Sequence, residues 1–133
     1  MLRHLALLLL LSAVPVPALA ADALGDEVAR VAARFRDERP RLRIEACNGL
    51  IEDILRDAGV PIRGNVRTLF ATMKERGWVH HRKVPFPGDI VFFDRTYDSN
   101  GNGRQDDRLS HVAVVIRVDD DGTAHMVHRG SRG

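Results

Sequence analysis

The chain contains one cysteine, one tryptophan and one tyrosine among its 133 residues. Because a single cysteine cannot form an internal disulfide, packing rather than cross-linking must stabilise the fold. A large excess of charge is also missing, since 20 lysines and arginines stand against 18 aspartates and glutamates. A balance this close to neutral gives no electrostatic reason to bind nucleic acid or an anionic membrane. The sequence therefore excludes a disulfide scaffold and argues against a nucleic-acid partner.

The first 20 residues have the pattern of a secretory signal peptide. Arg3 precedes an unbroken apolar run, Leu5–Leu11, and small residues lead up to Ala20. This predicts a signal peptide over residues 1–20 with cleavage after Ala20. The apolar run is short for a bilayer and two prolines follow it, so we expect no membrane anchor. The mature product is expected to be a periplasmic or secreted monomer.

Residues 21–133 are enough for one domain with one modest core. Apolar residues recur at helical spacing in the first half, whereas short β-branched and aromatic runs between turn residues follow in the second half. Helices first and strands afterwards predict an α+β domain in which the cysteine helix packs on a small antiparallel sheet. The predicted helices are 22–36, a helix beginning near Cys47, and 66–76; the predicted strands are 90–93, 111–118 and 123–129.

Cys47 lies in the first turn of its predicted helix. The partial positive charge of a helix N-terminus favours a thiolate, which makes Cys47 a candidate nucleophile. Leu50 and Ile51 follow three and four residues later, so the sulfur should lie on the same inward face. The alternative is a small buried hydrophobic residue, which is the usual role of a lone cysteine.

Histidines follow the cysteine on two later strands. His111 begins an apolar strand, and the next strand carries His125 and His128. A cysteine, a histidine and an orienting polar residue in this chain order are typical of thiol hydrolases. The alternative for His111 is a structural core histidine. Because strand side chains alternate, only one of His125 and His128 can share a face with its partner.

The loop after residue 97 resembles a calcium loop of the EF-hand type. Its oxygen side chains are Asp98, Asn100 and Asn102 at alternate positions and Asp106 further on, and a glycine stands at the sixth position of the loop. The twelfth position is Leu109, so the usual bidentate acid is missing. A turn-rich loop in solvent explains the composition equally well.

Two other features have simpler interpretations. His80 and His81 are adjacent, and neighbouring residues on a strand point to opposite faces, so they are not expected to ligate one metal ion. Asp89 follows a proline and glycine turn and is interpreted as a residue that caps that turn.

Four segments together resemble one enzyme family. They are Cys47–Ile51, Pro87–Phe93, Ser110–Ile116 and Gly122–His128. These segments are similar, in order, to the cysteine helix, the intervening strand, the catalytic histidine strand and the following strand of the NlpC/P60 and CHAP cysteine peptidases. The resemblance extends over about residues 26–129.

The resemblance implies a papain-like cysteine hydrolase that cuts peptide or amide bonds of bacterial cell-wall peptidoglycan. It implies Cys47 as the nucleophile, His111 as the base and, by family spacing, His128 as the orienting residue. No cofactor is required for this chemistry, and calcium is a candidate only at the loop described above. A wall-binding or calcium-stabilised module on the same fold, without catalysis, is the alternative function.

Three departures from the NlpC/P60 pattern are present. Ala46 stands where an aspartate usually precedes the cysteine, and Phe35 stands where a tyrosine is often found. The expected oxyanion site is therefore formed by backbone N–H groups near Cys47. Members of the family commonly continue with further strands, so the domain at 21–133 is expected to be short at its C-terminus.

Overall fold

Three helices precede three strands along the chain, which confirms the predicted α+β class. The computed structural model describes residues 17–43 and 46–130. The elements in chain order are α1 (Pro17–Glu38), α2 (Cys47–Asp57), α3 (Val66–Glu75), β1 (Ile90–Phe93), β2 (His111–Val118) and β3 (Ala124–Val127).

The bounds of β1 and β2 and the start of α2 agree with the prediction, α3 ends one residue earlier than predicted, and α1 and β3 differ more. β3 is shorter than the predicted strand at 123–129, because His128 and Arg129 lie beyond its last paired residue. α1 begins at Pro17, so the predicted cleavage point after Ala20 falls inside this helix. Residues 1–16 of the predicted signal peptide lie outside the described residues, and the signal peptide stays a prediction. Among residues 17–43 and 46–130, no helix is long and apolar enough to span a bilayer.

The sheet is antiparallel and has the order β1-β2-β3. Phe93 of β1 pairs with His111 of β2, and Val114 of β2 pairs with Val127 of β3. A β-bulge lies between Val115 and Arg117, where β2 carries one residue more than β3. The central strand β2 thus joins the two edge strands, and its first residue is His111.

The hydrophobic core lies between the helices and the sheet. α1 and α2 pack against β2, and the side chains of α2 that point inward include Ile51 and Ile54, both fully buried. Replacing such an isoleucine by alanine costs about 2–5 kcal/mol of stability. Burial on this scale holds α2 firmly on β2, and it therefore fixes the position of the helix end that carries Cys47.

A glycine pair allows α1 to approach the turn before β1. Gly88 has a φ of 88°, and a Cβ built there would collide with the backbone of Gly25 in α1. The N–H of Gly88 also donates to the carbonyl of Val115, at 2.7 Å. Any side chain at position 88 would therefore separate α1 from the sheet. In the same turn Asp89 Oδ2 accepts from the N–H of Phe86 at 2.8 Å, which confirms that Asp89 caps this turn.

Candidate functional site

Cys47, His111 and His128 line one cleft of about 730 Å³. The cysteine comes from the start of α2, the first histidine from the start of β2, and the second from the residue after β3. Three segments that are far apart in the sequence therefore meet at one opening. The structure brings all three predicted site residues together there.

Cys47 is the first residue of α2 and is only partly buried, at the edge of the hydrophobic core. Its N-cap is Ala46, which has an extended backbone and makes no side-chain cap hydrogen bond. The first N–H groups of a helix have no partner within the helix and so attract anions. The N–H of Gly49 donates to the carbonyl of Ala46 at 3.0 Å, and no side chain of Ala46 caps the N–H groups before it.

Asn48 braces the first turn of α2 against the segment that leads into α3. Its amide donates to Glu52 Oε1 at 3.2 Å and to the carbonyl of Gly64 at 3.1 Å, while the Gly64 N–H donates back to Glu52 at 3.0 Å. Gly64 has a φ of 131°, and a Cβ there would lie 2.6 Å from Thr68. Sequence reasoning missed this brace, because an asparagine and a glutamate one turn apart on a helix are common on any surface.

His111 and His128 are in direct contact. Nε2 of His111 lies 3.0 Å from Nδ1 of His128, and the rings meet edge to face with centroids 5.1 Å apart. Because Nε2 of His111 is engaged in this contact, Nδ1 is the nitrogen left to face a reacting group. Nδ1 can accept a proton only if Nε2 carries the ring hydrogen and donates to His128. When Nδ1 of His128 is the acceptor in this contact, His111 holds the tautomer whose Nδ1 can take up a proton.

The strand register explains why His128 is the residue beside His111. Extending the register one step beyond the Val114–Val127 pair would place His128 opposite Ala113, on the face of the sheet that carries His111. His125 lies on the opposite face, where its Nε2 is 2.7 Å from Asp119 Oδ2 and 2.9 Å from the Arg117 guanidinium. The sequence could not supply this register, since it depends on the bulge in β2.

The environment of His111 favours its neutral form. Burial of the ring is the main cause that lowers the pKa of His111 below its ordinary value, and the charge of His128 lowers it further. The ring of Phe93, its pairing partner in β1, lies 6.0 Å away between centroids and flanks the imidazole. The neutral form of an imidazole is the one that can accept a proton.

The loop between β1 and β2 forms another wall of the cleft. Ser110, which is buried, lies with its Oγ 2.7 Å from the hydroxyl of Thr96, and the N–H of Leu109 donates to Asp94 Oδ1 at 2.7 Å. Leu109 has a φ of 52°, a strained value for a branched residue, directly before Ser110 and His111. Tyr97 on the same loop lines the cleft and was missed by sequence reasoning, because it belongs to none of the four motif segments.

The predicted calcium loop is closed by its own hydrogen bonds. Asp98 accepts from the N–H groups of Gly101 and Gly103, each at 2.7 Å, and the amide of Asn100 donates to the buried Asp107. Asn102 accepts from the N–H of Arg104, and Asp106 is exposed. In the part of the chain that the structure describes, no group of three or more His, Cys, Asp or Glu side chains could hold a metal ion. These contacts fit a turn better than an ion, and calcium stays a prediction.

His80 contacts a carboxylate instead of sharing a site with His81. Its Nε2 lies 3.0 Å from Asp89 Oδ2, and its Nδ1 accepts from the N–H of Arg82 at 3.4 Å. Both nitrogens of this ring are therefore used by the turn that leads into β1.

Comparison with protein families supports the resemblance in the sequence. A family model of the CHAP domain matches residues 40–130. No curated protein and no solved structure gives a significant match to the chain. CHAP domains are amidase or peptidase domains of the peptidoglycan-hydrolase type. Since the model matches more than half of the sequence and includes all four motif segments, the chain belongs to the CHAP domain family.

Proposed function

We propose that this protein is a cysteine hydrolase that cuts a peptide or amide bond of bacterial peptidoglycan, with Cys47, His111 and His128 as its catalytic set. The observation that carries the proposal is the contact between His111 Nε2 and His128 Nδ1, 3.0 Å apart, at the cleft that Cys47 also lines. A histidine held in one tautomer beside a cysteine at a helix N-terminus is the arrangement that activates a thiol.

In the first half of the reaction, the sulfur of Cys47 attacks the carbonyl carbon of the scissile amide. The thiol proton moves to Nδ1 of His111, and the carbonyl oxygen gains negative charge. N–H groups at the uncapped start of α2 lie next to this centre and stabilise the oxyanion. The C–N bond then breaks, the amine leaves with the proton from His111, and an acyl-enzyme remains on Cys47.

In the second half, water replaces the amine. His111 takes a proton from the water, the hydroxide attacks the acyl carbon, and the thiol leaves with that proton. Throughout both halves His128 accepts the Nε2–H of His111, which holds the ring in place. His128 is thus a positioning residue that acts through His111.

The proposed reaction occurs outside the cytoplasm, in the periplasm or after secretion. The support for this is the sequence pattern of residues 1–20, which is typical of a signal peptide. Thiol hydrolysis requires no cofactor, and the proposed partner is a peptidoglycan peptide bound by a monomer. A calcium ion at the loop of Asp98 would stabilise the fold without taking part in the reaction.

The test is digestion of purified peptidoglycan by the chain from Ala21 onward, with mass spectrometry of the released fragments. We expect new amine and carboxyl termini at one kind of bond, which also distinguishes an endopeptidase from an amidase. The Cys47→Ala variant is the control and should release nothing. If the unaltered chain binds peptidoglycan in a pull-down and releases no fragment, the wall-binding module without catalysis is the correct function.

A further inference from the structure

The lining of the cleft is positively charged, although the chain as a whole is nearly neutral. Of the described residues that line it, Arg67 and Arg129 are cationic, His111 and His128 are histidines, and none is an aspartate or glutamate. Arg67 therefore brings a formal positive charge to a lining that, among the described residues, has no carboxylate. A cleft lined by charge of one sign concentrates ligands of the opposite sign.

Arg67 presents its charge at the surface of the cleft. It is the second residue of α3, its side chain is exposed, and its neighbours Asn65 and Val66 also line the opening. The charge of Arg67 lowers the pKa of one nearby carboxylate, Asp107. Asp107 is buried, however, and already accepts from the Ser99 N–H at 2.7 Å.

Asp107 is therefore satisfied by its own loop. The backbone N–H of Ser99 is the main cause that holds the pKa of Asp107 below its ordinary range, and the charge of Arg67 is a smaller cause. Asn100 also donates to this carboxylate, through its backbone N–H at 3.3 Å and its amide at 2.7 Å. A guanidinium with five donors retains capacity for a ligand that enters the cleft.

Tyr97 adds an aromatic surface to the same cleft. Tyr97, the only tyrosine of the chain, is 50% exposed. A phenol ring offers an apolar face for a peptide backbone and a hydroxyl for a hydrogen bond. The cleft thus combines a cation from α3 with an aromatic ring from the loop between β1 and β2.

We propose that the cleft selects peptides that carry a free carboxylate close to the bond to be cut, and that Arg67 is the residue that determines this specificity. The inference rests on the proposed hydrolase function and deepens it. The guanidinium of Arg67 binds the carboxylate through paired, charge-assisted hydrogen bonds, and Tyr97 packs beside the peptide. Arg67 lies outside the four motif segments, so its role is argued only from its place in the cleft.

The experiment compares two soluble muropeptides that differ only in whether one carboxylate beside the cleaved bond is free or amidated. We expect the unaltered protein to cleave the free-carboxylate peptide with at least about tenfold higher kcat/KM, the lower end of what charge-assisted hydrogen bonding contributes. Arg67→Gln should remove the preference and Arg67→Lys should retain part of it. Arg63→Gln, which removes an exposed arginine four residues away and outside this cleft, is the matched control and should keep the full preference.

Binding to the Cys47→Ala variant separates this inference from the hydrolase proposal. Isothermal titration should give tighter binding of the free-carboxylate peptide, and adding Arg67→Gln should abolish the difference. Equal cleavage and equal binding of both peptides, or a preference that survives Arg67→Gln, would overturn the inference and leave the hydrolase in place. If neither peptide is cut but Arg67-dependent binding is measured, the inference stands and the hydrolase proposal fails.

Discussion

The helices α2 and α3 both begin at the cleft, but their first turns differ. At the start of α3, Asn65 Oδ1 accepts from the Thr68 N–H at 3.0 Å, so a side chain caps the helix. At the start of α2, Ala46 has no side chain that could do this. The N-terminus of α3 thus has a side-chain cap, and the N-terminus of α2 has none.

The difference shows that α2 is held in place by contacts other than an N-terminal cap. Capping by asparagine is worth about 0.5–2 kcal/mol to a helix, and α2 forgoes this stabilisation. Burial of its apolar face and the brace from Asn48 hold α2 in place instead. The uncapped end coincides with the only cysteine of the chain, so stability is sacrificed at the position where chemistry is proposed.

The largest expected effect on activity comes from replacing Cys47, the first residue of the uncapped helix α2. Cys47→Ala should lower the rate of wall-peptide release roughly 10⁴-fold or more, because the nucleophile is lost. Since the side chain is only partly buried, the free energy of unfolding should change by no more than about 1 kcal/mol. Thermal denaturation monitored by circular dichroism and a digestion assay measure the two quantities.

Alkylation of Cys47 provides the companion measurement. In the unaltered protein iodoacetamide should label Cys47 quickly near pH 6–7, a range set by roughly the ordinary pKa of histidine, and His111→Ala should slow the labelling. Slow labelling that does not depend on His111 would mean that the Cys47 thiol is not activated and that the two helix starts do not differ in reactivity.

The next largest effect is expected at His128, which contacts the proposed base His111. His128→Ala should reduce kcat about 10–100-fold, the usual cost of removing a group that orients a catalytic histidine. His125→Ala is the matched control, because His125 lies on the other face of the sheet against Asp119, and it should be nearly silent. Equal losses from the two variants would contradict the observed register.

A smaller effect is expected in the pH profile. Because burial and the charge of His128 lower the pKa of His111, this residue should stay a base below about pH 6.5, the ordinary value for histidine. The acid limb of kcat/KM should therefore lie below that value, and His128→Ala should move it upward. The same shift makes the folded state bind protons less readily than the unfolded chain, so stability should fall as the pH drops below about 6.5.

Exchanging the caps tests the comparison directly. Asn65→Ala should lower the free energy of unfolding by about 0.5–2 kcal/mol, because the Thr68 N–H loses its acceptor. Ala46→Ser should raise it by about 0.5–1 kcal/mol, because α2 gains a cap. Urea denaturation measures both changes. Two changes of the same sign would show that capping does not distinguish the two helices.

The smallest effect is expected from calcium. Asp98 uses its oxygens as Asn65 does, to accept backbone N–H groups, so an ion would have to displace these donors. A site short of charged ligands binds in the millimolar range at best, and it should raise the melting temperature by a few degrees or less. An unchanged melting temperature up to millimolar calcium would remove the calcium proposal.

The element pattern was predictable because apolar periodicity and turn residues decide it locally. Cys47 at a helix start, the strands at residues 90–93 and 111–118 and the turn cap at Asp89 all followed from short segments. The cleft walls did not follow, because Arg67 and Tyr97 reach the site only through tertiary packing. Likewise the sequence shows an alanine at position 46, but it places the start of α2 only near Cys47. That Ala46 is the N-cap residue, and that the helix therefore has no side-chain cap, became known only from the structure.

The bulge between Val115 and Arg117 makes the spacing of residues as important as their identity. Deleting Met126, an exposed residue, would remove no chemical group of the proposed site. With the bulge kept, however, it would move His128 opposite Val114, on the face that belongs to the core. Such a chain would retain every catalytic side chain and lose their alignment. A sequence search that requires only the catalytic residues would class such a chain as active. A search that also requires the spacing from His111 to His128 would not.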